Sequence, residues 1–254
     1  MRWLWPLINI VQGVSLAFMT SVSIIIGMAL SPVIGFEFLL GACRWYWAPM
    51  LLGGSGARLS VTGRENVPDR SAFFVANHQS QLDIPVLFRV VPVNIRFIVK
   101  AEHRRIPFLG FFIGASGMVY IDRRARLRAV ETVRKVADLL DTGHSIAAFP
   151  EGTRSRDGKL RPFKTGVLVP AIEAGAPVVP IAIVGAERVL PADGFRVRPG
   201  TVHVRIGEPI ETHELTTDDR RWLAVEARRR VQALRDSILD GEQEIVHQIA
   251  SDTG

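Results

Sequence analysis

The 254-residue chain is expected to be an α/β protein: a mixed, mostly parallel sheet flanked by helices, with an N-terminal apolar two-helix membrane hairpin. Three observations lead there. Short apolar, β-branched runs alternate with helix-period stretches from about residue 57 onward. No charged side chain occurs from Trp3 to Phe36. A second apolar stretch, 38–54, follows at once, broken by Arg44 and Pro49.

Taken in order, residues 7–30 form a helix about 36 Å long at 1.5 Å per residue, enough to cross a hydrocarbon layer. A cleaved signal peptide fits poorly, because the run is long and no small-x-small site precedes a polar start. The second stretch carries Trp45, Tyr46 and Trp47 beside Arg44, a composition suited to the headgroup region. The pair is read as a hairpin within one leaflet, or as one span and one interfacial helix. Segment 1–56 is thus membrane-embedded, and 57–254 forms the α/β domain. Strands are expected at 59–62, 72–76, 95–99, 118–121, 145–149, 178–184 and 202–206. Helices are expected at 81–90, 107–115, 126–140, 167–174 and 218–239. The third shows an apolar face of Leu127, Val130, Val133, Val136, Ala137 and Leu140. It is stopped by Gly143. The last sets Trp222, Val225, Val231, Leu234 and Ile238 against an arginine-rich face.

Lys+Arg number 31 and Asp+Glu 25, a net charge of +6 that suits nucleic acid, an anionic membrane surface or a phosphorylated substrate. No nucleic-acid-binding motif supports the first. Cys43 is the single cysteine, so neither an internal disulfide nor a cysteine zinc site can form. The six histidines lack metal-site spacing, and no P-loop or dinucleotide fingerprint is present.

The chemistry gathers where strands end. In open α/β sheets, ligands bind beyond the carboxyl ends of the strands. His78 follows the second expected strand, Lys100 the third, Arg123 and Arg124 the fourth, and Glu151 and Arg154 the fifth. His78 and Asp83, five apart in Asn-His-Gln-Ser-Gln-Leu-Asp, read as a general base and the carboxylate that orients it. A plain hydrogen bond at a helix start is the structural alternative for so short a pattern. Ser80 lacks the elbow of a covalent nucleophile. Glu151, Gly152, Thr153 and Arg154 read as a tight turn presenting a guanidinium to an anion.

Four blocks resemble the glycerophospholipid acyltransferase family, and within it the bacterial 1-acylglycerol-3-phosphate acyltransferases. They are Asn77-His-Gln-Ser-Gln-Leu-Asp83, Phe97-Ile-Val-Lys-Ala-Glu102 through Tyr120-Ile-Asp-Arg123, Phe149-Pro-Glu-Gly-Thr-Arg-Ser155 and Val179-Pro-Ile-Ala-Ile183. Gln81 stands where a bulky aromatic is expected, and His103 follows Glu102 where Leu is common. The resemblance implies acyl transfer from acyl-CoA or acyl-carrier protein to the 2-hydroxyl of 1-acylglycerol-3-phosphate. It implies His78 and Asp83 as catalytic, and Lys100, Arg123 and Arg154 as phosphate-binding, with Glu151, Gly152 and Thr153 shaping that loop. It further implies no metal and no bound cofactor, and the basic remainder of the chain favours a catalytic domain on the cytoplasmic face of the cell inner membrane. Other acceptors stay open: glycerol-3-phosphate, another lysophospholipid or a lyso-ornithine lipid. So do a non-catalytic lipid-binding protein and a lipid hydrolase.

Overall fold

The computed structural model describes residues 5–106, 109–121, 126–193 and 196–252. Seven strands form one sheet: β1 (Ala57–Thr62), β2 (Phe73–Ala76), β3 (Ile95–Lys100), β4 (Val119–Ile121), β5 (Ser145–Ala148), β6 (Val178–Val184) and β7 (Gly200–Ile206). Their order is β1-β7-β6-β2-β5-β3-β4. β6, β2, β5, β3 and β4 are parallel, β7 is antiparallel to β6, and β1 is parallel to β7. The carboxyl ends of five strands therefore share one rim with the amino ends of β7 and β1. All seven lie within two residues of the sequence expectation.

Alternation divides the core between the two faces. Phe74, Ala76, Ala147, Val179 and Ile181 pack on one side, and Phe73, Val75, Ile146, Ala148 and Val178 on the other. Both sides are buried, as a central parallel sheet requires. The expected helices appear as α4 (Asp83–Val90), α5 (Leu109–Ala115), α6 (Arg126–Asp141), α7 (Val169–Glu173) and α9 (Arg220–Asp252), with one extra turn, α8 (Ala186–Val189).

The N-terminal expectation needs correcting. α1 (Trp5–Ile34) is, among the described residues, the one helix long and apolar enough to cross a membrane. After Gly35, at φ 75°, the chain turns back as α2 (Phe36–Ala42), a π turn at Cys43–Trp47 and α3 (Ala48–Gly54). This second segment is no partner in a membrane hairpin: Leu40, Ala48 and Leu52 belong to the sheet's own core. Arg44 donates to the Pro92 carbonyl, and Trp47 meets Phe88 edge-on at 5.9 Å. The second apolar run thus packs one side, with Leu40, Ala48 and Leu52, on the core and leaves Phe38, Trp45 and Tyr46 exposed, a division that hydropathy alone does not resolve.

α1 is turned inside out relative to a helix of a water-soluble protein. Asn9, Gly13, Gly27 and Ser31 are buried, while Leu7, Ile10, Val11, Val14 and Phe18 are exposed. Its polar groups bond inward: Asn9 Oδ1 accepts the Val197 N–H at 2.7 Å, Gln12 donates to the Gly54 carbonyl, and Thr20 Oγ1 accepts the Trp47 indole N–H at 3.2 Å. Small and polar residues inward with large apolar ones outward is the pattern of a helix solvated by lipid.

Two helix faces also differ from expectation. On α6, Val130 is exposed and Thr132 is buried in its place. On α9, Trp222 and Val225 are exposed, whereas Leu223, Ala224, Ala227 and Val231 are buried. The alanines allow close approach to the sheet layer that a tryptophan would block. On the outer side of α9, Glu226 accepts hydrogen bonds from Arg229 and Arg230, which hold its carboxyl down at about 2 against an ordinary value of 4.5. A depressed carboxylate stabilises the fold above the unfolded value and loses that contribution as pH falls through the folded one. Glu226→Gln is expected to cost about 0.5–1 kcal/mol at pH 7, as partly exposed pairs do. In denaturant titrations the gap from the parent should shrink as the pH falls from about 4.5 toward 2.

Candidate active site

β2 ends at Ala76, and the next residue fixes the loop. The Asn77 side chain donates to the Ile183 carbonyl at 2.7 Å and accepts the Ile183 N–H at 2.8 Å, acting as an extra rung beside β6. His78 follows at the rim. Its Nδ1 lies 2.8 Å from Asp83 Oδ2, on the first turn of α4. The same oxygen accepts the N–H groups of Gln79 and Ser80 at 2.7 and 2.8 Å. Asp83 is wholly buried and its Oδ2 already accepts two backbone amides, so the bond to the ring runs from Nδ1–H to the carboxyl oxygen, the tautomer that turns the Nε2 lone pair outward. Among the described residues Nε2 has no hydrogen-bond partner. The ring stacks on Phe149, centroids 4.0 Å apart and planes 14° apart, and Phe149 in turn lies 6.1 Å from Phe97.

The loop after β5 interlocks with the loop after β2. The His78 N–H donates to Glu151 Oε1 at 2.7 Å, and the Ser155 N–H donates to the His78 carbonyl at 2.8 Å. Glu151 Oε2 takes the Arg161 N–H at 2.9 Å. Burial pushes the Glu151 carboxyl above its ordinary value, against the opposing pull of these two amides. The carboxylate is thus a brace between two backbone segments, with both oxygens occupied. Gly152 is buried at φ 76°, a conformation that favours glycine. Thr153 is exposed at the turn. Arg154 is half-buried, one residue from the Ser155–His78 bond, and its guanidinium has no hydrogen-bond or ion-pair partner among the described residues.

Lys100 is exposed at the carboxyl end of β3, on the same rim. β3 lies two strands from β2, about 10 Å away. Arg123 lies outside the described residues. Ser80 is engaged structurally: its hydroxyl donates to the Leu190 carbonyl at 2.7 Å and accepts the Leu82 N–H at 3.1 Å. Sequence reasoning missed Asn77 and Phe149 as supports of His78. Both sit inside motifs it had singled out, flanking the end of a buried strand, and that was the available signal.

The family model described as Acyltransferase matches residues 58–184, half of the chain. A 1-acyl-sn-glycerol-3-phosphate acyltransferase of Saccharomyces cerevisiae is 30% identical over 212 residues, 82% of this chain and 67% of the yeast protein. A protein of the same description from Chlamydomonas reinhardtii is 38% identical over 150 residues, 58% of this chain and 45% of its own. The chain thus spans less than half of that algal relative. The crystal structure of the 1-acyl-sn-glycerophosphate acyltransferase PlsC from Thermotoga maritima superposes with a TM-score of 0.74 at 29% identity. That likeness covers 89% of this chain and 95% of the solved one. The matched span 58–184 contains His78, Asp83 and Glu151, and the chain belongs to the acyltransferase family.

Proposed function

We propose that this chain transfers an acyl group from a thioester, acyl-CoA or acyl-carrier protein, to the 2-hydroxyl of 1-acylglycerol-3-phosphate, giving phosphatidic acid. The observation that carries the reading is the His78 imidazole, bonded through Nδ1 to Asp83 at 2.8 Å with Nε2 unpartnered among the described residues. Nε2 takes the proton of the acceptor hydroxyl as its oxygen attacks the thioester carbonyl carbon. The tetrahedral intermediate collapses, the C–S bond breaks, and the imidazolium returns the proton to the departing thiolate. Asp83 holds the tautomer and stabilises the imidazolium. The substrate hydroxyl is the nucleophile, so no acyl-enzyme forms and no resident cofactor is needed.

Arg154 and Lys100 are assigned to the acceptor phosphate, and Arg123 joins them from the sequence pattern. The exposed apolar side of α1 supports a domain held at a membrane surface, and the basic remainder of the chain favours the cytoplasmic face of the inner membrane. Exposed Trp45, with Arg44 and Arg89 over its ring at 5.0 and 5.5 Å, suits the headgroup layer.

The test is thiol release from palmitoyl-CoA by detergent-purified protein, with and without lysophosphatidic acid, with glycerol-3-phosphate and lyso-ornithine lipid as rival acceptors. Release that requires lysophosphatidic acid and yields phosphatidic acid supports the reading. Release without acceptor, giving free fatty acid, shows a hydrolase and refutes it. Arg154→Ala is expected to raise KM for lysophosphatidic acid by about 10–10²-fold, the worth of one charge-assisted bond, with kcat within a few-fold. Acceptor-saturation curves measure both; an unchanged KM removes Arg154 from the phosphate site.

A further inference from the structure

The arginine-rich face of α9 is not merely solvated. Arg228 points inward: Nη2 donates to the Leu160 carbonyl at 2.9 Å and Nε to the Arg161 carbonyl at 3.2 Å. Arg235, seven residues on and therefore on the same side of the helix, donates to the Gly158 carbonyl. From its other side the segment 158–161 is held by the His78 neighbourhood. The Gln79 side-chain amide donates to that same Gly158 carbonyl at 3.0 Å, and the Arg161 N–H donates to Glu151 Oε2 at 2.9 Å. Glu151 Oε1 in turn accepts the His78 N–H at 2.7 Å.

The segment 158–161 has no helix or strand ladder of its own; beside the Ser155 hydroxyl on the Lys159 carbonyl at 2.8 Å, the Asp157 carboxylate on the Lys159 N–H at 3.2 Å and the Leu160 side chain in the core, these partners hold its two ends. α9 is a firm platform for them, since Leu223, Ala224, Ala227 and Val231 are fully or almost fully buried. A guanidinium is well shaped for such a clamp. Its planar fork reaches two successive carbonyls, which a lysine ammonium cannot do in one fixed geometry.

We infer that Arg228 and Arg235 are positioning residues for His78, acting through segment 158–161 and the Glu151 carboxylate. They touch no substrate. Their role is to keep the His78 peptide at the place from which Nε2 reaches the acceptor hydroxyl. A displacement near 1 Å at a reacting group can cost about 10²-fold in rate. The inference rests on the reading of His78 as the base.

The experiment compares kcat, both KM values and the melting temperature of the full chain in detergent for Arg228→Gln, Arg228→Lys, Arg235→Gln and Arg229→Gln. Arg229→Gln is the control, because that guanidinium pairs with Glu226 on the outer surface. Arg228→Gln and Arg235→Gln are expected to lower kcat about 10-fold, with each KM within about two-fold and melting close to the control. Arg228→Lys should recover part of the loss. The double variant Arg228→Gln/Glu151→Gln should match Glu151→Gln alone, because both changes cut one path. Three results overturn the inference: parental kcat in Arg228→Gln, a change in melting alone, or multiplied losses in the double variant. The two readings fail separately. An active His78→Ala enzyme removes the base assignment, whereas an inactive His78→Ala beside a fully active Arg228→Gln removes only the clamp.

Discussion

His78→Ala is expected to lower kcat by about 10³-fold while leaving the protein folded. A positioned general base is worth about 10²–10⁴-fold, and the other imidazole that follows a strand on this rim, His103 after β3, sets its Nδ1 3.3 Å from the Lys100 carbonyl and has no carboxylate against its ring among the described residues. The fold should tolerate the change, because the two backbone amides on Asp83 Oδ2 and the Asn77–Ile183 pair do not depend on the ring. The measurement is acceptor-dependent thiol release at saturating substrate, beside a melting curve. Turnover within a few-fold of the parent, from a protein that melts normally, would refute the assignment of His78.

Asp83→Asn should be nearly as damaging for a different reason. The carboxylate has two duties: it charges and orients the imidazole, and it ties down the turn through Gln79 and Ser80. An asparagine oxygen can still accept the backbone amides, so the turn survives. The negative charge that stabilises the imidazolium is lost, and kcat should fall about 10²–10⁴-fold with a small change in melting. Asp83→Ala removes both duties and leaves two buried N–H groups unpaired, each worth about 1–3 kcal/mol. It should therefore melt several degrees lower as well. Equal melting temperatures for the two variants would show that the carboxylate does not hold the turn.

Much of the fold was legible because a buried parallel strand announces itself locally: runs such as Val178–Val184 are apolar throughout and need no distant partner to be read. The His78–Asp83 pair was legible for the same reason, with its members five residues apart on one turn. What stayed hidden depends on partners far along the chain. Asn77 reads as a motif residue until Ile183, 106 positions later, is beside it. Arg228 reads as a solvated charge until Leu160, 68 positions earlier, is found under it. The segment 38–54 is apolar on every side, and only the packing of Leu40, Ala48 and Leu52 into the core shows which of its faces meets the sheet. The face of α9 slipped because hydrophobicity ranks a tryptophan above an alanine, while a tightly spaced layer has room only for the alanine.

The inward bonds of α1 bear on how the protein can be handled. A membrane leash joined by a flexible tether could be trimmed off to leave a soluble enzyme. This helix is instead a wall of the building. Cutting it away would strip Val197 N–H and the Gly54 carbonyl of their partners and uncover the indole of Trp47. Shortened versions should therefore come out as sticky, half-supported bodies, and detergent or nanodiscs around the intact chain are the better route to a working preparation.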